Sequence, residues 1–139
     1  MNYMSVFAKL YYMMINLDDK VNDKELSLGK QMITIEGFSE TEFERHLERV
    51  KLLDAIDLNN EILSDLRKLT KIQQVRCIAW MCVIANADGF MDKKEWQFIY
   101  KIYHKELQIS LDEIMKVQNE LIRLTMYKAP VPDQVRVRA

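Results

Sequence analysis

Apolar residues recur at three- and four-residue spacing along most of the chain, which is the period of an amphipathic helix. In the first such stretch Phe7, Leu10 and Met14 share one side. Residues 71–87 are apolar almost all round at their centre, which predicts the most buried helix. The pattern predicts helices at about 4–17, 23–36, 40–53, 60–68, 71–87, 93–107 and 111–127. The fold class indicated is all-α, with about seven helices in a bundle.

The predicted helix starts carry capping boxes, in which an N-cap side chain and a Glu or Gln three residues later satisfy two backbone N–H groups. The pattern occurs at Asn22/Glu25, Ser39/Glu42, Thr70/Gln73, Asp92/Glu95 and Ser110/Glu113. Gly37 follows the second predicted helix and is expected to end it in the left-handed conformation. Caps and periodicity therefore agree on where most helices begin.

One short segment occurs twice, 70 positions apart, at residues 16–26 and 86–96. The identical pairs are Asn16/Asn86, Asp18/Asp88, Lys24/Lys94 and Glu25/Glu95. When one inserted residue is allowed in the second half, Ser39 also matches Ser110. Each half then reads as helix, acidic turn, helix, serine-capped turn, helix. We expect two pseudo-twofold-related three-helix repeats, at about 4–53 and 71–127, joined by a short helix, with helices one and five central and antiparallel.

The length of 139 residues suits one domain with a sizeable core, and we assign residues 1–128 to it. Residues 129–139 contain two prolines and alternating polarity, so we expect a flexible tail rather than a helix. The longest uninterrupted apolar run has nine residues (77–85), whereas a membrane span needs about 20. No membrane span is therefore predicted.

The charge distribution argues against nucleic-acid binding. The net charge is −1, and residues 1–70 hold 9 Lys/Arg against 13 Asp/Glu while residues 71–139 hold 11 against 8. Neither half has the concentrated basic face of a nucleic-acid binder. Cys77 and Cys82 lie five apart in an apolar run, so buried reduced thiols are expected. Reduced thiols and the absence of a signal-peptide pattern indicate a cytoplasmic protein.

The acidic turns between the paired helices are the only places where the sequence points to chemistry. Their candidate residues are Asp18, Asn22 and Glu25 in the first copy and Asp88, Asp92 and Glu95 in the second. A structural interpretation accounts for all of them. Each aspartate at a helix end accepts hydrogen bonds within the turn, Asn22 and Asp92 are N-caps, and the two glutamates complete capping boxes.

A metal-binding interpretation stays open beside it. Three carboxylates within eight residues, together with the carbonyl groups of a turn, suit the hard cations Ca²⁺ or Mg²⁺. The ligand spacing differs from an EF-hand, because Lys94 and Ile99 stand at the seventh and twelfth positions counted from Asp88. No cofactor follows with certainty from the sequence.

The stretch Asn-Ala-Asp-Gly-Phe-Met-Asp-Lys-Lys-Glu at residues 86–95, after an apolar helix, resembles the signature of the tellurite-resistance TerB-like family. The resemblance covers about residues 4–124. It implies an all-helical domain of two related halves, a role in stress response and use as an accessory module. It also implies a divalent-metal site at the acidic turns, with the six residues named above as ligands. The first copy departs from the pattern at Leu17, Asp19 and Asn22.

No catalytic constellation stands out, so we do not expect an enzyme. His46 and His104 lie on separate predicted helices among charged neighbours, as surface residues do. Trp96 is expected in the core, whereas the region of Tyr100 and Tyr103 is a candidate protein-binding patch. The acidic run is either a solvated helix face or a docking surface for a basic partner; it comprises Glu36, Glu40, Glu42, Glu44 and Glu48.

Two functions follow as hypotheses. The first is a small non-enzymatic helical module that binds a protein partner, as an accessory domain in stress response. The second is a divalent-metal sensor or buffer that uses the acidic turns. The oligomeric state does not follow from the sequence.

Overall fold

The computed structural model describes residues 3–17, 23–87 and 93–128, and within these ranges every regular element is a helix. The helices are α1 (Tyr3–Leu17), α2 (Asp23–Ile35), α3 (Glu40–Val50), α4 (Ala55–Arg67), α5 (Lys71–Ala85), α6 (Lys93–Tyr100) and α7 (Leu111–Lys128). A π-helical segment, Lys101–Glu106, continues α6 and is called the π segment below. The all-α prediction and the seven helices are confirmed for the described residues. The expected tail lies outside them.

The observed caps explain where the helices begin. At α5 the Thr70/Gln73 capping box is complete, with both reciprocal hydrogen bonds present. At α7 Ser110 and Glu113 likewise bond each other's backbone N–H groups. The prediction for α4 was wrong at its start, because the helix begins at Ala55 rather than near residue 60. The cause is Asp54, whose Oδ1 accepts a hydrogen bond from the N–H of Asp57 at 2.8 Å.

The core is built around α1 and α5, which pack against each other as expected. Helix α5 also contacts α2, α6 and α7, and α1 also contacts α3 and α4. The centre of α5 is buried without interruption from Cys77 to Ala85. Trp80 on α5 and Phe7 on α1 are among the largest fully buried side chains. None of the described helices is both long and apolar enough to cross a membrane.

Burial in the second helix of each half recurs at the spacing of the sequence repeat. The buried residues of α2 are Glu25, Gly29, Met32 and Ile33. Seventy positions later the buried residues are Glu95, Ile99, Ile102 and Tyr103. The third helices show a spacing of 71, with Phe43 and Val50 followed by Ile114 and Leu121. Matching sides of the repeated helices thus face the interior, while a pseudo-twofold axis stays a prediction.

The second half is one residue longer than the first, and the π segment accommodates the additional residue. In the first half the N–H of Phe38 bonds the carbonyl of Ile33 at 2.9 Å, five positions back. At the equivalent point the N–H of Ile109 bonds the carbonyl of Tyr103 at 2.9 Å, six positions back. The wider π turn holds the additional residue without changing which residues face the core. Hydrophobic periodicity gave no sign of it, because the buried positions are unchanged.

The reversal that follows each of these helices uses a left-handed residue. Gly37 has φ +75°, as predicted for a helix-ending glycine, and Gln108 has φ 55°. A left-handed conformation costs a non-glycine residue roughly 1–2 kcal/mol. Glutamine at this place is therefore strained where glycine is not.

Replacing Gln108 by glycine is expected to raise the free energy of unfolding by about 0.5–1 kcal/mol, since relief of the left-handed strain exceeds the entropy cost of glycine. Urea denaturation followed by circular dichroism measures the change. Gly37→Gln is the matched control and should destabilise by a similar amount, because a Cβ at Gly37 would meet no atom within 4 Å and only backbone strain is added. A Gln108→Gly variant less stable than the parent would contradict the argument.

Candidate functional site

The six predicted metal ligands divide into two groups. Asp18, Asn22, Asp88 and Asp92 lie outside the described residues, so their part in a metal site or in capping stays a prediction. Glu25 and Glu95 are described, and each is the third residue of its helix. Their exposed fractions are only 3% and 2%. Sequence patterning had presented these glutamates as capping partners at helix starts and gave no sign that they are buried.

Glu25 lies in a close-packed junction between α1 and α2. The pKa of the Tyr11 hydroxyl is raised above its ordinary value by burial and then by the negative charges of Glu25 and Glu44. One turn after Glu25, the Tyr11 ring lies so close to Gly29 that a Cβ there would come within 2.6 Å of the Tyr11 hydroxyl oxygen. The glycine therefore lets the ring approach the backbone of α2, beside a buried carboxylate.

A second buried carboxylate joins the end of α2 to α5. Oε2 of Glu36 accepts hydrogen bonds from Nε of Arg76 at 2.6 Å and from Nε1 of Trp80 at 2.7 Å. The side chain of Glu36 is 5% exposed. Burial and the negative charge of Glu36 raise the pKa values of Tyr3 and Cys77. The expectation that Glu36 belongs to a solvated acidic run was wrong, because its charge is bonded inside the bundle.

The signal for this contact was present in the sequence but incomplete. A carboxylate in the last turn of a helix is disfavoured by the helix dipole, so Glu36, directly after α2, called for a compensating cation. The sequence does not say which cation, since Arg76 is 40 positions away. The other members of the acidic run, Glu40, Glu42, Glu44 and Glu48, are exposed on α3.

A buried lysine forms a further ionic cluster, which joins α1 to α4. Nζ of Lys9 lies 2.6 Å from Oδ2 of Asp65 and 3.0 Å from Oε1 of Glu61. Burial by itself lowers the pKa of Lys9, but the hydrogen bonds to Asp65 and Glu61 outweigh it and raise the pKa above the ordinary value. Sequence analysis missed this cluster. The available signal was a lysine on the apolar side of a helix, between Val6 and Leu10.

The solvent side of α6 and the π segment carries three aromatic rings in a row. We call Trp96, Tyr100 and His104 the aromatic stripe. The ring centroids of Trp96 and Tyr100 are 6.0 Å apart, and those of Tyr100 and His104 are 4.8 Å apart and nearly parallel. Trp96 is 38% and Tyr100 37% exposed, and His104 is also exposed. Tyr103 contacts the same rings from the buried side.

These exposures correct one expectation and refine another. Trp96 was expected in the core, but it lies at the surface because the adjacent Glu95 faces inward. The candidate patch at Tyr100 and Tyr103 is reduced to Tyr100, since Tyr103 is buried. Four exposed lysines lie in the same stretch of α6 and the π segment: Lys93, Lys94, Lys101 and Lys105.

The described part of the chain adds no further cluster of potential metal ligands. Residues 3–17, 23–87 and 93–128 contain no group of three or more His, Cys, Asp or Glu side chains placed to hold a metal ion. Cys77 and Cys82 are buried and free, as predicted. Burial raises the pKa of Cys82 to about 12, so its thiol is protonated at neutral pH.

Most of the chain matches the model of a known protein family. A family model described as tellurite resistance protein TerB matches residues 4–119, which is most of the 139-residue chain. No curated protein and no solved structure matches the chain. The resemblance found at residues 86–95 is thereby confirmed over nearly the whole helical region. The chain belongs to the tellurite resistance protein TerB family.

Proposed function

We propose that this protein is a small non-enzymatic helical module that acts by binding a protein partner, as an accessory domain in a cytoplasmic stress response. The observation that carries the proposal is the aromatic stripe on α6 and the π segment. The family description, tellurite resistance, supports the link to stress. The buried, protonated thiols suit a reducing compartment.

The chemistry of the aromatic stripe is that of a protein interface. Tryptophan and tyrosine are enriched at interfaces because they bury much area while losing few rotatable bonds. Trp96 and Tyr100 each leave more than a third of their surface in solvent, although their rings pack against each other. Exposed lysines in the same stretch add polar groups of the kind found at the rim of an interface.

The aromatic stripe also has rigid support. On the opposite side of the same helix and π segment, Ile99, Ile102 and Tyr103 are buried in the core. Rings held on a packed helix lose little freedom when a partner binds, so more of the contact energy appears as affinity. A non-enzymatic role agrees with the use of the buried charges, since Lys9 and Glu36 are both committed to ion pairs that join helices.

The test compares proteins retained from native lysate by three forms of the full chain. The first is the parent, the second is Trp96→Ala/Tyr100→Ala, and the third is the control Leu26→Ala/Lys30→Ala, which changes the equivalent exposed positions of α2. A partner of the aromatic stripe should be retained by the parent and the control and lost by the second form. Circular dichroism checks that all three are folded. Equal retention by all three forms contradicts the proposal.

A second candidate function is divalent-metal binding at the acidic turns. The observation that favours it is the burial of Glu25 and Glu95, each at the edge of an acidic turn and at the same place in its half. Carboxylate oxygens are the ligands that hard divalent cations prefer, and each of these glutamates follows closely after the candidate aspartate or asparagine ligands of its turn. Burial of the same glutamate in both halves also suits the proposed pseudo-twofold relation between them.

Calorimetric titration with Ca²⁺, Mg²⁺ and Zn²⁺ tests this second candidate. Binding heat and a rise in melting temperature are expected for the parent protein and should disappear in Asp88→Ala/Asp92→Ala. Asp54→Ala is a control that removes an N-cap carboxylate elsewhere in the fold. Absence of heat and of any thermal shift at millimolar metal would exclude the site.

A further inference from the structure

A pocket of about 320 Å³ lies between α1, α2 and α3. This volume is at the lower end of the range of about 300–1,000 Å³ that is usual for ligand pockets. Most of the side chains that line it are apolar, and its charged lining residues are Lys30, Glu40, Glu44 and Lys51. None of the residues of the aromatic stripe lines it, so the pocket is separate from the proposed protein interface.

Two buried aromatic rings line this pocket. Phe43 is fully buried and Tyr11 is 8% exposed, and their ring centroids are 6.2 Å apart in an edge arrangement. The Tyr11 hydroxyl lies against Gly29, where a Cβ would be 2.6 Å from its oxygen, and Gly29 also lines the pocket. Among the described residues none forms a hydrogen bond with this hydroxyl. A buried hydroxyl that borders a cavity and has no such bond is placed to bond a ligand.

The charges that act on the Tyr11 hydroxyl are negative. Burial and then the negative charges of Glu25 and Glu44 raise the pKa of Tyr11, so the hydroxyl is protonated at neutral pH. Glu40 lies one turn before Glu44 on α3 and lines the same pocket. The group of a ligand that bonds the hydroxyl would therefore lie in a negative potential, which favours a cation.

The lysines of the pocket do not cancel this charge. Nζ of Lys51 lies 3.1 Å from Oε2 of Glu48, which does not line the pocket. With Lys51 paired in this way, Glu40 and Glu44 stand against Lys30 alone. The lining thus has an excess of negative charge.

The corresponding positions of the second half are not acidic. At the spacing of 71 that relates α3 to α7, Glu40 and Glu44 correspond to Leu111 and Met115. Both of these apolar side chains are exposed. Carboxylates at the two positions are therefore a feature of the first half alone, and the repeat does not require them.

We propose that the pocket between α1, α2 and α3 binds a small organic cation that carries one ammonium group on an apolar body. The body contacts the rings of Tyr11 and Phe43, and the ammonium group lies against Glu40 and Glu44. An ammonium group has donors only, which suits carboxylate and hydroxyl acceptors, and it is also attracted to aromatic faces. This inference goes beyond the proposed function and does not depend on it.

Phenethylamine serves as the probe, because it carries a charged ammonium group on a phenyl body at neutral pH. Phenethyl alcohol and phenylpropionate are the neutral and anionic controls with a similar body. Amide signals of the isotope-labelled full-length protein are followed by NMR during titration with each compound. We expect phenethylamine to shift signals of α1, α2 and α3 with a Kd on the order of 1 mM, as its small size allows. The two controls should bind at least about fivefold more weakly, because charge-assisted hydrogen bonds are the stronger ones.

Three variants test the assigned contacts. Glu40→Gln/Glu44→Gln should weaken phenethylamine binding at least about fivefold, and Tyr11→Phe about threefold. The matched control is Glu42→Gln/Glu120→Gln, which removes the same number of negative charges from exposed positions outside the pocket. It should bind phenethylamine as the parent does. Circular dichroism checks that all the variants are folded, as expected for changes that keep the shape of each side chain.

Four outcomes overturn the proposal. The first is no saturable shift up to about 20 mM phenethylamine. The second is equal or tighter binding of the alcohol or the carboxylate, and the third is equal weakening by the pocket pair and by the control pair of substitutions. The fourth is tighter binding of Nα-acetyl-lysine amide than of phenethylamine, which would make a lysine side chain of another protein the ligand.

Discussion

Replacing Lys9 by methionine is expected to lower the free energy of unfolding by about 3–5 kcal/mol. Methionine matches the length of the lysine stem, so the change removes the charge and leaves most of the packing. Asp65, which is largely buried, then keeps a carboxylate without the cation 2.6 Å away, and Glu61 loses its 3.0 Å contact. An uncompensated buried charge costs much more than a lost surface contact. Because the cluster joins α1 to α4, we expect α4 to loosen first.

Chemical denaturation of Lys9→Met, read by circular dichroism, measures this loss. Lys51→Met is the control, since the pair between Lys51 and Glu48 is exposed on both sides and should contribute about 0–1 kcal/mol. Lys9→Met/Asp65→Leu should recover most of the lost stability, because removing both charges also removes the hydration penalty. A loss in Lys9→Met no larger than that in Lys51→Met would show that the cluster is not a major stabilising contact.

The difference in stability between the parent and Lys9→Met should depend on pH, because the pKa of Lys9 is raised in the folded protein. The folded protein holds the Lys9 proton more tightly than the unfolded chain, whose lysine has the ordinary pKa near 10.5. The contribution of Lys9 to stability is therefore complete below that pKa and is lost as the pH rises through the higher folded pKa. Near neutral pH the free energy of unfolding of the parent should exceed that of Lys9→Met by a constant amount. This difference should become smaller in strongly alkaline solution.

Replacing Glu36 by alanine is expected to cost about 2–4 kcal/mol. The carboxylate is the acceptor for both the Arg76 guanidinium and the Trp80 indole N–H. The Trp80 ring is fully buried, so its N–H would be left without an acceptor in a place where water does not easily replace one. Glu36→Gln should cost less, because one amide oxygen can still accept both hydrogen bonds and only the negative charge is lost.

Unfolding in urea gives the free energy, and in a Trp96→Phe background the fluorescence of Trp80 alone reports whether its environment becomes wetter. Glu44→Ala is the control, since Glu44 is exposed on α3 and its replacement should change stability by within about 0.5 kcal/mol. In a Trp80→Phe background, Glu36→Ala should cost less than it does in the parent, because no indole N–H is then left without an acceptor. Equal costs in the two backgrounds would contradict the proposed bond between Glu36 and Trp80.

Local sequence chemistry predicted most of the helical architecture. The Thr70/Gln73 and Ser110/Glu113 capping boxes and the Gly37 helix end are each decided by residues within one turn of one another, and all three are confirmed. The start of α4 was missed because Asp54 caps through the N–H of Asp57 without a Glu or Gln partner. Aspartate is common in the segments between helices. An N-cap aspartate without the Glu or Gln of a capping box is therefore not distinctive in the sequence.

The candidate site was predictable to a smaller extent. The family was recognisable from residues 86–95, because this stretch carries aspartate, glycine and glutamate at the spacing of the family signature. The inward direction of Glu95 and the outward direction of Trp96 were not predictable, although the two are adjacent. Residues near a helix start determine which of them is the N-cap. The rotation of the helix about its own axis decides which side chains face the core, and it depends on the helices packed around it.

By itself, then, the sequence determined the all-α class, the caps of α3, α5 and α7, the TerB family and the spacing at which burial recurs between the halves. These features depend on residues close together in the chain or on a period that repeats along it. The tertiary structure alone decided the ion pairs of Lys9 and Glu36, the π segment and the aromatic stripe. Lys9 and Asp65 are 56 positions apart, and Glu36 and Trp80 are 44 apart. Contacts at such separations exist only once the helices have packed, because packing selects which polar side chain each buried charge meets.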